Sequence, residues 1–132
     1  MGRGVKSLAE DIGSLMNRLD YGRASVVLYD PVHVNLRTTR YALTEIGFRE
    51  ILSLSSLAEF RRRLEDETPA LIIAETSQDP EVYRLIRDIR LGECGDNPFV
   101  AILLTSWLRD GHSLKSAITS GADDVIVRPF ST

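Results

Sequence analysis

The feature that most constrains this chain is an alternation, from Ala24 onward, between short β-branched apolar runs and longer segments of helical period. Ser25-Val26-Val27-Leu28-Tyr29, Ala70-Leu71-Ile72-Ile73-Ala74, Phe99-Val100-Ala101-Ile102-Leu103-Leu104 and Asp124-Val125-Ile126-Val127 each read as a strand buried on both faces. Arg49-Glu50-Ile51-Leu52-Ser53, after a turn at Gly47, is more polar and reads as an edge strand. Between the runs, over 34–46, 57–65, 80–91 and 111–120, apolar residues recur three and four apart, as in Leu85, Ile86 and Ile89 or Leu114, Ala117 and Ile118. Parallel neighbours need a crossover, and right-handed crossovers put helices outside the sheet. The pattern therefore predicts a doubly wound α/β fold, a five-stranded parallel sheet with helices on both faces.

The 132 residues suit one domain, and a 43% hydrophobic content is enough for a core without disulfides or structural metal. Sixteen basic against nineteen acidic side chains leave a charge of -3, without the basic surplus that drives binding to a phosphate backbone, so nucleic acid is not an expected partner. The single cysteine, Cys94, has no thiol or histidine at zinc-ligand spacing, and no metal or other cofactor is expected. No apolar run approaches the roughly 20 residues of a membrane span and no signal-peptide h-region is visible, so the expected setting is the cytoplasm, away from the membrane.

In a doubly wound sheet, ligands and chemistry collect beyond the carboxyl ends of the strands. The residues at those positions are Asp30 and Pro31, then Glu75, Thr76 and Ser77, then Thr105, Ser106 and Trp107, and finally Arg128 and Pro129. Two carboxylates, a hydroxyl and a guanidinium are thus expected to converge.

Over roughly 24–130 the chain resembles the receiver domain of two-component response regulators. The resemblance rests on Leu28-Tyr29-Asp30, Ile46-Gly47-Phe48, Pro69 through Glu75, Leu104-Thr105-Ser106, Gly121-Ala122-Asp123-Asp124 and Arg128-Pro129-Phe130, in family order and spacing. It implies the strand order 2-1-3-4-5 of flavodoxin-like folds. It also implies a site where two adjacent acids after the first strand, with an aspartate after the third, hold magnesium, and where that last aspartate accepts a phosphoryl group. Here the acid pair is reduced to Asp30 followed by Pro31, and Glu75 stands at the acceptor position. The extra methylene of glutamate displaces the carboxylate by more than about an ångström, which spoils in-line attack.

The family's lysine after the fifth strand matches Arg128 and its switch aromatic matches Val125, while Thr105 stands as the family has it. A planar, forked guanidinium suits a lasting pair with a carboxylate, so Arg128 is expected to bridge to Glu75 or Asp30 and relieve the repulsion that metal and lysine relieve in the family. The pocket Asp30, Glu75, Thr105 and Arg128 thus reads as degenerate and locked.

A receiver carries a final helix after its Pro-Phe segment, and the chain stops at Ser131-Thr132. The expectation is a receiver-like domain over 23–132 that either is truncated or has that sheet face covered by another element. Residues 1–22 offer one: Leu8, Ile12, Leu15 and Leu19 lie on one helical stripe, with Ser7 as cap and Glu10 completing a capping box. That helix is expected either to fill the vacant slot, in its own chain or a neighbour's, or to serve as a coiled-coil-like linker or dimer seam.

His33 and His112 have no nucleophile or ligand partner at a recognisable spacing and read as loop or helix-start residues. Arg61-Arg62-Arg63 followed by Glu65-Asp66-Glu67 reads as a solvated helix end. Arg84, Arg87 and Arg90 recur every three residues, where interspersed acids favour plain solvation over an anion-binding or docking face. Trp107, beside the pocket mouth, reads either as a partner anchor or as a side chain packed over the loop after the fourth strand, and the surface around Trp107, Leu108 and Val125 is the first expected contact area.

The function expected is therefore a phosphorylation-independent interaction module in bacterial signal transduction that is not an enzyme, bound to a protein partner or attached output domain, or to itself as a homodimer. The alternative is a domain that keeps magnesium-dependent acceptor chemistry at Glu75 or responds to a small molecule at the same sheet edge.

Overall fold

The computed structural model describes residues 7–16, 21–108 and 110–130. In chain order the elements are α1 (Leu8–Leu15), β1 (Ser25–Tyr29), α2 (His33–Ile46), β2 (Glu50–Leu54), α3 (Leu57–Asp66), β3 (Leu71–Glu75), α4 (Glu81–Arg90), β4 (Ala101–Ser106), α5 (Gly111–Ser120) and β5 (Asp124–Val127). All strand pairs are parallel, the doubly wound sheet expected from the alternation of strands and helices, and the sheet order is β2-β1-β3-β4-β5, the flavodoxin-like order that the receiver resemblance implies. The central strand β3 is buried at every position, which is why it carries an unbroken apolar run rather than an alternating one.

Two cores flank the sheet. On one face α3, α4 and α5 cover Val27, Tyr29, Ile72, Ala74, Ile102 and Leu104, and α4 supplies Val82, Leu85, Ile86 and Ile89, all buried. Each of those four side chains contributes about 1.5–3 kcal/mol relative to exposure. On the other face α2 and α1 cover Val26, Leu28, Leu71, Ile73, Leu103 and Ile126. Leu8 and Ile12 of α1 are fully buried there, and α1 lies against β5. Ser7 caps this helix by accepting from the Glu10 amide at 3.3 Å. Leu8 and Ile12 are therefore core residues of their own chain and not the outward contact surface offered as one reading of the stripe; Leu15 packs at the rim of the same core, and Leu19 lies outside the described residues.

Two apolar assignments needed revision. Phe99 was placed in the fourth strand but is 88% exposed. The Pro98 and Val100 carbonyls are taken by Arg90 Nη1 at 2.8 and 2.7 Å, so strand pairing starts only at Ala101, opposite Leu71. Ile118, placed on the inner face of α5, is 67% exposed, because this helix packs through Ala117 and Ser120. The 3.6-residue period was right and the buried stripe lies a third of a turn away.

Gly121 ends α5 at φ +110°, and a Cβ there would lie 2.7 Å from Arg90 Cγ. That close approach lets Arg90 Nε reach the Gly121 carbonyl at 2.7 Å and Nη2 reach Asp123 at 3.0 Å, while Asp123 also accepts from the Ile102 amide at 2.8 Å. Arg90 is thus a strut tying α4 to the entries of β4 and β5, not a member of a solvated arginine stripe.

Candidate functional site

Strand register carries four side chains to one point at the carboxyl edge of the sheet. Glu75 ends β3 opposite Thr105 of β4, Thr105 pairs with Ile126 of β5, and the Arg128 amide donates to the Ser106 carbonyl at 2.7 Å. Asp30 follows β1, its amide held by the Leu54 carbonyl at 3.1 Å. Its Oδ1 accepts from the Val32 amide at 2.9 Å and so fixes the turn into α2, whose first residues have no side-chain cap.

Arg128 lies between the two acids. Its Nε donates to Glu75 Oε1 at 3.0 Å, its Nη2 to Asp30 Oδ2 at 3.3 Å, and the same Nη2 to Thr39 Oγ1 at 2.9 Å. Thr105 Oγ1 donates to Glu75 Oε1 at 2.7 Å, and the Ser77 amide to Glu75 Oε2 at 3.1 Å. Asp30, Glu75, Thr105, Thr39 and Arg128 are all buried. The guanidinium bridges both acids, where the sequence pointed to one or the other.

The pocket still carries one carboxylate more than it has cations. Burial pushes the Asp30 carboxyl above its ordinary value and the Glu75 charge adds to this, against the Val32 amide and the Arg128 guanidinium, which favour the anion. Burial likewise raises the neighbouring Tyr29 phenol, with Asp79, Asp30 and Glu75 adding to it.

A magnesium ion, which the receiver resemblance implies, does not fit these residues. Magnesium requires near-octahedral oxygens at about 2.0–2.1 Å with several waters. All four carboxylate oxygens of Asp30 and Glu75 already accept hydrogen bonds from protein donors, and Arg128 stands as the cation between them. Among the described residues no group of three His, Cys, Asp or Glu side chains could hold a metal ion.

No protein-family profile matches the sequence, and no curated protein matches it. Solved structures do. The signal receiver domain of a two-component histidine kinase from Clostridium thermocellum superposes with a TM-score of 0.70 at 18% identity, covering 82% of this chain and 87% of that one. The Vibrio cholerae chemotaxis protein CheY4 superposes with 0.70 at 16% identity, over 82% and 88%. An orphan response regulator of H. pylori gives 0.70 at 19% identity, over 84% and 87%.

The chain has the fold of a receiver domain. The sheet face opposite α3, α4 and α5 is covered by α2 together with α1, a helix that precedes β1. The structure brings Asp30, Glu75, Thr105 and Arg128, the four residues the sequence singled out, into contact.

Thr39 was missed. Its signal was a polar residue on the apolar stripe Leu36, Thr39, Ala42 and Leu43 of α2, a position that needs a buried partner. Trp107 sits at the pocket mouth with its amide on Ser77 Oγ at 2.7 Å and its ring 5.9 Å from the Arg128 guanidinium carbon, which lies 4.8 Å from the Phe130 ring on another side. Trp107 and Leu108 are each nearly half exposed, whereas Val125 is partly buried against the core of α3, α4 and α5 and offers little surface. His33 and His112 open α2 and α5, both exposed.

Proposed function

We propose that this chain is a phosphorylation-independent receiver-like module of bacterial signal transduction. It acts in the cytoplasm by binding a protein partner or an attached output domain, homodimerisation being one form of that contact, and it performs no catalysis of its own. The observation that carries the reading is the bridging guanidinium. Phosphoryl transfer to a receiver requires a free carboxylate oxygen aimed at phosphorus and a cation shared by acceptor and phosphate. Glu75 has both oxygens engaged, and the cation beside it is a side chain that cannot leave. No described helix is long and apolar enough to cross a membrane. The half-exposed Trp107 and Leu108 supply the amphipathic surface next to the pocket that a docking partner would cover.

The test is direct. The purified chain is incubated with acetyl phosphate and magnesium and its intact mass measured, and separately titrated with magnesium and beryllofluoride while Trp107 fluorescence is read. Trp107 is the chain's one tryptophan and touches Arg128, so any rearrangement of the pocket reaches it. No added phosphoryl mass and no saturable fluorescence change are expected. An acyl phosphate on Glu75, or a saturable response abolished by Asp30→Ala, would overturn the proposal in favour of retained magnesium-dependent chemistry.

A further inference from the structure

The three arginines of α4 do not share one role. Arg90 turns inward as the strut described above, while Arg84 and Arg87 are exposed and line a groove of about 500 Å3 between α4 and α5. The opposite wall carries His112 and Lys115 on α5, and Glu81 is the groove's single carboxylate among the described residues. Glu81 makes a 3.7 Å contact with Arg84, both well exposed, which neutralises little of the field. Asp88, the other acid of α4, is drawn away by Arg61 at 2.9 Å. Among the described residues Arg87 and Lys115 have no ion-pair partner.

Arg84, Arg87 and Lys115 against Glu81 give the groove a charge of +2 with His112 neutral. The whole chain carries -3, so everything outside the groove sums to -5. A concave basic strip on an otherwise acidic molecule attracts an anion to one place and repels it elsewhere.

We propose that the α4–α5 groove is a docking site for a short acidic protein segment. This deepens the interaction-module reading by naming the partner's chemistry, and rests on that reading for the premise that a protein is bound. The groove's shape supports a peptide. α4 and α5 are ten residues each, so the groove runs about 15 Å, the reach of about five extended residues. Its nitrogen-bearing side chains stand in two rows three residues apart, the cations Arg84 with Arg87 and the neutral His112 with the cation Lys115, and Ser116 adds a hydroxyl for peptide carbonyls or carboxylates. A nucleic acid fits less well. The remaining charge repels a polyanion that extends beyond the groove, and the groove's aromatic, Tyr83, is partly buried against the core rather than offered as a stacking platform.

The test uses the full chain and three labelled probes read by fluorescence anisotropy: oligo-glutamate, oligo-lysine, and oligo-thymidylate of the same charge as the glutamate peptide. Oligo-glutamate is expected to bind with a Kd on the order of 100 µM at about 25 mM salt, and about tenfold more weakly at about 300 mM, because exposed charges are screened. Arg84→Glu/Arg87→Glu should weaken it at least about tenfold, while the charge-matched pair Arg37→Glu/Arg63→Glu, on α2 and α3, should change it less than about twofold. The proposal is overturned if the control pair weakens binding equally, if the thymidylate binds as tightly as the peptide, or if oligo-glutamate does not bind. A chain that takes phosphate from acetyl phosphate yet holds the peptide in this groove supports the docking site and refutes the phosphorylation-independent reading. A chain inert to phosphate that ignores the peptide refutes the docking site alone.

Discussion

Replacing Arg128 by methionine keeps most of the side-chain volume and removes the charge from between two buried acids. At an effective dielectric near 20, unit charges at the observed 3.0 and 3.3 Å attract by about 5 kcal/mol each. Much of that offsets the cost of burying the three ions, and removal of one partner from a buried pair typically leaves a net loss of about 3–5 kcal/mol. For a chain of this size that is roughly 10–20 °C in Tm. Urea unfolding followed by circular dichroism measures it, with the midpoint falling by about 1.5–2.5 M at an m-value of about 2 kcal/mol/M. The loss also carries a pH signature. Without the guanidinium, which favours the Asp30 anion, burial and the Glu75 charge raise the Asp30 carboxyl further, so the variant recovers stability as pH falls from 8 toward about 5. Adding Glu75→Gln to Arg128→Met should restore more than half of the loss, because the orphaned acceptor charge is gone. A loss below about 1 kcal/mol, or one unchanged between pH 8 and pH 5, would refute the view that Arg128 is the cation this pocket depends on.

Four further outcomes follow from the same structure. Millimolar magnesium should raise the Tm of Arg128→Met, whose acids are released, and leave the wild type unchanged; an equal shift in both would contradict a filled cation site. Because burial raises the Asp30 carboxyl, the folded state binds that proton more tightly than the unfolded chain, and native stability declines as pH rises from near the ordinary 3.8 through the raised folded value. Asp30→Asn should flatten that decline in pH-dependent urea titrations. Ile12→Ala, in the fully buried face of α1, should cost about 2–5 kcal/mol, whereas a helix that merely linked domains would lose almost nothing. Gly121→Ala should cost about 1–3 kcal/mol by chemical denaturation, since the new Cβ meets Arg90 at a positive φ.

The sheet was legible because its signal is redundant. β1, β3 and β4 are buried on both faces, so nearly every residue had to be apolar, and a shift of one or two residues at an end does not alter topology. The site was legible for a related reason: parallel strands deliver the residue after each run to the same edge, and Asp30, Glu75, Thr105 and Arg128 are where counting puts them. What escaped was whatever depends on a partner distant in sequence. Thr39 looks like any helix threonine until a guanidinium arrives 89 positions later, and Arg90 looks like part of a basic stripe until Gly121 leaves room for it. Ile118 failed differently, because a helix that packs through alanine and serine presents its largest apolar side chain outward.

An arginine in place of a metal, as the proposed function has it, would have a consequence beyond lost chemistry. A magnesium ion between acids is in equilibrium with solvent, so the state it supports depends on concentration and on what else coordinates it. A guanidinium attached to the backbone just after β5 is present at the same place in every molecule, and the hydrogen bond from the Arg128 amide to the Ser106 carbonyl and the contacts with Trp107 and Phe130 hold it there. If the pocket is inert as proposed, the stabilisation that a bound ion would supply is instead built into folding. On the proposed reading, regulation would come from outside the pocket, through how much partner is present and how strongly salt screens it, at Trp107 with Leu108 beside the pocket and at the proposed basic groove between α4 and α5.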